Sequence, residues 1–294
     1  MMNGIIIVNQ EIGHNAYKVD RLKEEFAKTS IQVDVFVNDG TLASIENDNI
    51  NIHLPQADFV IYMDKDIYLA RLLEKANYRL FNHADFIKLC DDKMLTFIAC
   101  SNHGIRMPIT ISAPLVYYEL QDRHITFLRD VENKLGFPLI VKKVYGSLGE
   151  GVYRINNHEE LVKLYSEIYR NPIIFQEYIS SSIGKTIRVL IIDGKVFGAF
   201  IRKNTQDFRS NYGATAGGEK IGNIEKYATF AQKVSDLLHI EYAGLDLLEN
   251  NGEIMLCEIN SNAFFEEFEL VTGQNVAQAI ASMIIRKVND EQKR

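Results

Sequence analysis

Runs and alternations of apolar residues divide the chain into a β/α front and a strand-rich remainder. Ile5, Ile6, Ile7 and Val8 are consecutive aliphatics, so 4–8 reads as a strand buried on both faces. A helix over about 16–28, strands over 31–37 and 58–63, and a helix over 66–76 follow. Alternating β and α elements predict a small parallel-sheet unit. No glycine-rich fingerprint follows the first strand, which excludes a dinucleotide-binding domain. Asp91 and Asp92 then precede a helical run over 93–103, with Asp91 the expected cap, Gly104 the stop and Pro108 beyond it.

From there strands dominate. Residues 139–143 read as a strand, 145–151 as a glycine-rich turn and 151–155 as the returning strand. A helix over about 158–170 leads to a strand over 173–179. Strands over 187–192 and 195–202 pair across Asp193-Gly194, a strong hairpin signal. A polar loop over 203–222 carries the basic residues Arg209 and Lys220, with Arg202 and Lys203 at its entrance. It is longer than loops without function usually are. A helix over 223–239, a carboxylate-bearing hairpin and a helix over 275–290 complete the pattern, an α/β (α+β) arrangement.

That hairpin is the most informative stretch. Gly244-Leu245-Asp246-Leu247-Leu248 and Ile254-Met255-Leu256-Cys257-Glu258-Ile259-Asn260 are two aliphatic arms around a turn signal. Glu258 and Asn260 are two apart and share a face. With Asp246 they offer hard oxygen ligands suited to Mg²⁺, which takes one or two carboxylates and completes its shell with water and phosphate. A two-residue turn at 251–252 would set Asp246 opposite Cys257, on the face away from Glu258. The metal reading therefore predicts a three-residue loop over 251–253, which sets Asp246 opposite Glu258. The alternative is a set of solvated acids on an open sheet face. Strict alternation turns Cys257 away from Glu258, into the core.

Composition narrows the function. The 294 residues, 47% hydrophobic, are too many for one small core and imply two or three subdomains. A net charge of −7 without a long basic run excludes a nucleic-acid backbone as main partner. Cys90, Cys100 and Cys257 are scattered and odd in number, as expected of a reducing, cytoplasmic protein without a disulfide framework. The first apolar run is too short for a signal peptide, and no window approaches the roughly 20 apolar residues of a membrane span. The histidines show no i, i+4 pair suited to zinc.

Further residues suggest phosphate chemistry. The turn at Gly146-Ser147-Leu148-Gly149-Glu150-Gly151 joins two strands, so it is no P-loop, but its backbone N–H groups can face an anion and its glycines let it close as a lid. Lys142 just before it can place a charge on phosphate. The other reading of Lys142 and Lys143 is strand-edge solubility. Glu177 ends an apolar strand, where it suits an adenine amino group or is simply a strand-end acid. Arg188, in an aliphatic strand, needs a partner or an anionic ligand. Arg209, near Asn211 in the polar loop, is placed to meet charge on a phosphoryl oxygen, or is solvated.

Taken in order, Asp92-Lys93, Val141-Lys142 before the glycine-rich turn, Gln176-Glu177-Tyr178-Ile179, Ile187-Arg188, Asp207-Phe208-Arg209-Ser210-Asn211, Ala243-Gly244-Leu245-Asp246 and Glu258-Ile259-Asn260 resemble the ATP-grasp superfamily. They are most similar to its RimK-type carboxylate–amine ligases, over about 91–273. The resemblance implies an N-terminal β/α pre-ATP-grasp domain (1–88), a central lid subdomain (89–178) and a C-terminal subdomain (179–294). It implies ATP as cofactor, with Lys93, Lys142, Gly146, Ser147, Gly149, Gly151 and Arg209 around the phosphates and 176–179 (Gln176, Glu177, Tyr178, Ile179) around adenine. It implies one or two Mg²⁺, with Mn²⁺ as the alternative ion, on Asp246, Glu258 and Asn260. Arg188, Arg209 and Asn211 would serve catalysis by facing an acyl phosphate.

The implied partners are an amine and an amino acid, peptide or protein carboxylate, with assembly as a homo-oligomer a further expectation by analogy. Two departures stand out. Lys185-Thr186 occupies the place where the family often has an acid that binds ribose. The stretch 261–268, rich in Asn and Phe, resembles the lysine-biosynthesis members, so substrate identity does not follow from the glutamate-adding ones. A catalytically silent ATP-binding module and a phosphotransferase are the alternatives.

Overall fold

The computed structural model describes residues 2–9, 12–212 and 216–293. The expected parallel unit comprises β1 (Asn3–Val8), α1 (Ile12–Ala27), β2 (Gln32–Val37), a small hairpin of β3 (Ala43–Glu46) and β4 (Asn49–Ile52), β5 (Phe59–Met63), α2 (Ile67–Lys75) and β6 (Leu80–Phe81). The main sheet runs β2-β1-β5-β6, all parallel. Two short helices, α3 (Ala84–Asp91) and α4 (Lys93–Cys100), lead away from it. The cap of α4 is Asp92, whose carboxylate accepts from Leu95 N–H at 2.9 Å, and not Asp91, which is the last residue of α3. The helix also ends earlier than expected.

A second, four-stranded sheet follows: β7 (Thr110–Ser112), α5 (Leu128–Leu135), β8 (Leu139–Lys143), β9 (Val152–Ile155), α6 (His158–Ile168) and β10 (Ile173–Glu177), in the order β7-β10-β8-β9. The third sheet contains β11 (Lys185–Ile192), β12 (Lys195–Asn204) and β13 (Ala216–Lys220), then, after α7 (Glu225–Leu238), β14 (Tyr242–Asn250) and β15 (Glu253–Asn260), in the order β13-β12-β11-β14-β15. Helices α8 (Glu266–Thr272) and α9 (Val276–Gln292) end the fold. The long polar loop is thus shorter than expected. Arg202 and Lys203 lie on β12 and Lys220 on the edge strand β13, leaving only Arg209 of the four basic residues in a loop.

Alternation on the third sheet sorts its two faces. Ile187, Val189, Ile191, Ala243, Leu245 and Leu247 pack under Tyr227, Ala231 and Val234 of α7. On the other face, Leu190 and Phe200 join Phe265 and Met283, and this core continues into Ile6, Phe26 and Phe59 of the N-terminal sheet. One shared core therefore fixes α1 against the C-terminal sheet, with Tyr17 and Arg21 both bonded to Glu269. Among the described residues, no helix is long and apolar enough to cross a membrane.

Candidate active site

The hairpin β14–β15 departs from the expected loop and still reaches the expected outcome. Asn250 pairs with Glu253, so Asn251-Gly252 is a two-residue turn, with both φ angles positive (51° and 91°). That is the tight turn an Asn-Gly pair favours. The register then shifts between Asp246 and Leu247, so that Leu247 faces Leu256 while Asp246 faces Glu258. Cys257 is the extra residue of a β-bulge. Leu256 and Ile259 both stay in the core, and Cys257 and Glu258 both line the cleft. The expectation that Cys257 points into the core fails for this reason. Its thiol lies 3.7 Å from the Lys142 ammonium, and burial pushes it above the ordinary thiol range.

The neighbouring strand supplies a cation to the same row. Arg188 sits directly across from Asp246, and its guanidinium clamps the carboxylate with two 2.7 Å hydrogen bonds. Burial works against both charges, but each more than offsets it for the other. Arg188 is held above its ordinary range and Asp246 below its own, with Arg202, 3.8 Å away, adding to the latter. Gly244 makes room for this pair: a Cβ there would come within 2.7 Å of the Arg188 guanidinium and 2.8 Å of Ala263. Arg202 is itself bonded to Glu267 at 2.8 Å.

Glu258 differs from these acids. Among the described residues it has no hydrogen-bond or ion-pair partner. Two buried lysines flank it without carboxylate partners of their own. Lys93 donates to the carbonyls of Val144 (3.1 Å) and Gly146 (3.0 Å), tying α4 to the glycine-rich turn and leaving one ammonium proton. Burial pushes Lys93 below the ordinary lysine range, opposed by Glu258 and reinforced by Lys142. Asn260 donates weakly to Asp246 at 3.4 Å, which leaves its amide oxygen uncommitted.

The donor set of Glu258, Asn260 and Asp246 suits a hard cation, two carboxylates and an amide being what Mg²⁺ accepts beside water and phosphate. Asp246 is the weaker ligand, since Arg188 already engages both of its oxygens. Among the described residues, no group of three or more His, Cys, Asp or Glu could hold a metal, so a metal placed here would need the Asn260 amide oxygen or other non-acidic donors.

Two cavities meet at Glu258 and Asn211. The smaller, about 120 Å³, is lined by Ile140, Lys142, Gly149, 176–179, Phe208, Arg209, Asp246 and Cys257. The larger, about 680 Å³, opens between α1, the glycine-rich turn and the segment after β15. Of the expected site residues, Gly151 alone lines neither cavity; its carbonyl accepts from Lys143 N–H at 2.9 Å, where β9 begins.

The lid is latched. Arg209 forms two bonds with Asp207 (2.9 and 2.8 Å) and one with the Gly149 carbonyl (2.9 Å). A Cβ at Gly149 would meet Arg209, Asn211 and Tyr212 at 3.3 Å, so the turn and the 205–212 loop touch through a glycine. Glu177 already accepts from Ile109 N–H at 3.0 Å, and Gln176 donates to Thr110 at 2.8 Å, so both fix β7 as well as lining the smaller cavity.

The RimK-like ATP-grasp domain model matches residues 90–284, most of the chain. The chain belongs to the RimK-like ATP-grasp family. It is 31% identical over 234 residues to a probable alpha-L-glutamate ligase of Aeromonas salmonicida, covering 76% of this chain and 73% of the relative. It is 32% identical over 224 residues to human N-acetylaspartylglutamate synthase A, covering 75% of this chain and 56% of that longer protein. Among solved structures, the ATP-grasp ligase PsnB complexed with minimal precursor, Mg and ADP superposes with a TM-score of 0.68 at 15% identity, over 97% of both chains.

Sequence reading missed Lys18 and the role of Arg202, which line the larger cavity; Asn262, also on its wall, lies in the 261–268 stretch already singled out. One signal for Lys18 was present: it lies four residues before Leu22 and eight before Phe26, on the apolar stripe of α1, where a lysine is out of place.

Proposed function

We propose that this RimK-like protein is an ATP-dependent carboxylate–amine ligase that makes an amide through an acyl phosphate, releasing ADP and phosphate, with an amino acid as one substrate. The carrying observation is the junction at Glu258. There, among the described residues, a carboxylate and two lysines without ion-pair partners, Glu258 with Lys93 and Lys142, stand where a cavity sized for part of a nucleotide meets a cavity nearly six-fold larger. Such charges are costly when buried and await an anion with its cation.

The substrate carboxylate oxygen attacks the γ-phosphorus while its bond to the bridging oxygen breaks, and the amine then displaces phosphate. Lys93 and Lys142 offset charge on the phosphoryl oxygens, and the turn at 146–151, with Ser147 at its tip, covers them. Arg209 and Asn211 hold that turn shut and exclude water that would hydrolyse the acyl phosphate. Arg188 fixes Asp246. Asp246, Glu258 and Asn260 would hold one or two Mg²⁺, which when bound neutralise charge on the transferring group. Residues 177–179 would take the adenine edge. The division at 1–88, 89–178 and 179–294 is supported by the sheets, none of which crosses a boundary.

The test is Mg²⁺-dependent ADP release over a panel of acids and amines, with hydroxylamine added to trap the acyl phosphate as a hydroxamate. Expected are a hydroxamate from one acid and an amide with its amine. In Glu258→Gln, kcat should drop about 1,000-fold, the scale of losing a group that acts in the transition state. ATP binding without any hydroxamate or amide would identify a silent binding module and end the ligase reading.

A further inference from the structure

One wall of the 680 Å³ cavity has no role in the phosphoryl chemistry. Helix α1 places Asn15 and Lys18, three residues apart, on this wall. Each is only 2% exposed. The Lys18 ammonium donates to the Asn262 amide oxygen and lies 4.6 Å from the centroid of the Phe264 ring. Among the described residues no carboxylate pairs with it. An ammonium has three protons to donate, so its donor capacity is not filled. Among the described residues, the Asn15 amide oxygen is buried with no donor. Buried polar groups in folded proteins are nearly always satisfied, and an uncompensated charge is the costliest exception. Here both deficits face one cavity, and they are complementary: one asks for an anion and the other for an N–H.

The other buried lysine of the cavity wall makes the contrast. Lys93 has two backbone carbonyls as acceptors and a carboxylate nearby, and its position beside the glycine-rich turn accounts for it. Lys18 has one amide and an aromatic face, and no turn, cap or strand depends on it. Burial alone pushes its ammonium down to about 7, and a bound anion would restore the charge.

Building on the ligase reading, we propose that Lys18 and Asn15 recognise the amino-acid substrate that supplies the amine. Lys18 binds its free α-carboxylate and Asn15 accepts from its amino N–H. The carboxylate sits against the N-terminal unit, and the amino group, with one N–H on Asn15, faces the cavity that runs to Glu258.

Binding, not turnover, tests this. Amino acids and their α-carboxamides are titrated calorimetrically into the full chain loaded with ADP and Mg²⁺. At least one amino acid should bind 10-fold or more tighter than its carboxamide, as expected for a buried charge-assisted hydrogen bond. That preference should vanish in Lys18→Met and survive in Lys18→Arg, with ADP affinity and melting temperature of each variant checked alongside. Asn15→Ala should weaken binding of the amino acid but not of its analogue lacking the amine, which keeps the test alive if Lys18→Met does not fold. A carboxylate preference that persists in Lys18→Met, equal binding of acid and amide by the wild type, or no binding by any amino acid each overturns the proposal. Failure of the ligase reading shows separately, as absent hydroxamate in an enzyme that still binds the amino acid.

Discussion

The two walls of the cleft are made in different ways. On the nucleotide wall, Lys142 and the glycine-rich turn come from one hairpin, β8–β9, and Arg188, Asp246 and Glu258 from three adjacent strands with a defined register. On the facing wall, Lys18 of α1 meets Asn262 across 244 residues of sequence. The first wall is rigid through ladder hydrogen bonds and a clamped ion pair. The second depends on how two units pack through a shared core.

The largest effect expected from breaking the nucleotide wall is structural. Arg188→Met leaves Asp246 buried without its clamp, and unfolding free energy should fall by about 3–5 kcal/mol, the scale for orphaning one partner of a buried pair. Urea denaturation measures it. A loss under 1 kcal/mol would mean Asp246 is solvated and not held by Arg188. Lys142→Met should instead leave stability nearly unchanged and weaken ATP by about 10- to 100-fold, the value of one charge-assisted hydrogen bond. Equal weakening of adenosine would show that Lys142 acts through packing and not through phosphate.

The packed wall should answer to pH. Lys18 titrates near 7 in the folded chain and near 10.4 when unfolded. Between those values the unfolded chain carries more protons, so stability without substrate should rise with pH from about 7 to about 10, by at most about 1.4 kcal/mol per pH unit. Below 7 both states are protonated and this contribution stays flat. Lys18→Met should remove the rise, and melting temperature against pH in both proteins is the check. Parallel curves would place the Lys18 ammonium in water.

How much was readable follows the same division. The N-terminal alternation, the hairpin at Asp193-Gly194 and the glycine-rich turn are local signals, and each appears where expected. The short helices α3 and α8 and the edge strand β13 carry too little periodicity to be seen. Arg202 reads as the end of a strand at the entrance of a polar loop, because its strand continues past the apolar run to Asn204. Its burial is decided by Glu267 and Asp246, which no local pattern reveals.

The sequence alone pointed to the residues that would hold ATP and metal, through motifs whose order resembles the ATP-grasp superfamily and which lie on strands and turns of local geometry. The Asn251-Gly252 pair carries the local signal for a tight turn, since left-handed φ values select those residues, but the metal reading favoured a three-residue loop that the structure does not form. Only the tertiary structure decided that Asp246 faces Glu258. The tight turn alone would have kept them apart, and the bulge at Cys257 brings them together. A bulge is settled by which side chains find room in the core. Here Leu256 and Ile259 are both buried, which turns Cys257 and Glu258 together toward the cleft. Lys18 follows the same rule: its place on α1 is written in the sequence, but the cavity it faces exists only once α1 packs against the far end of the chain.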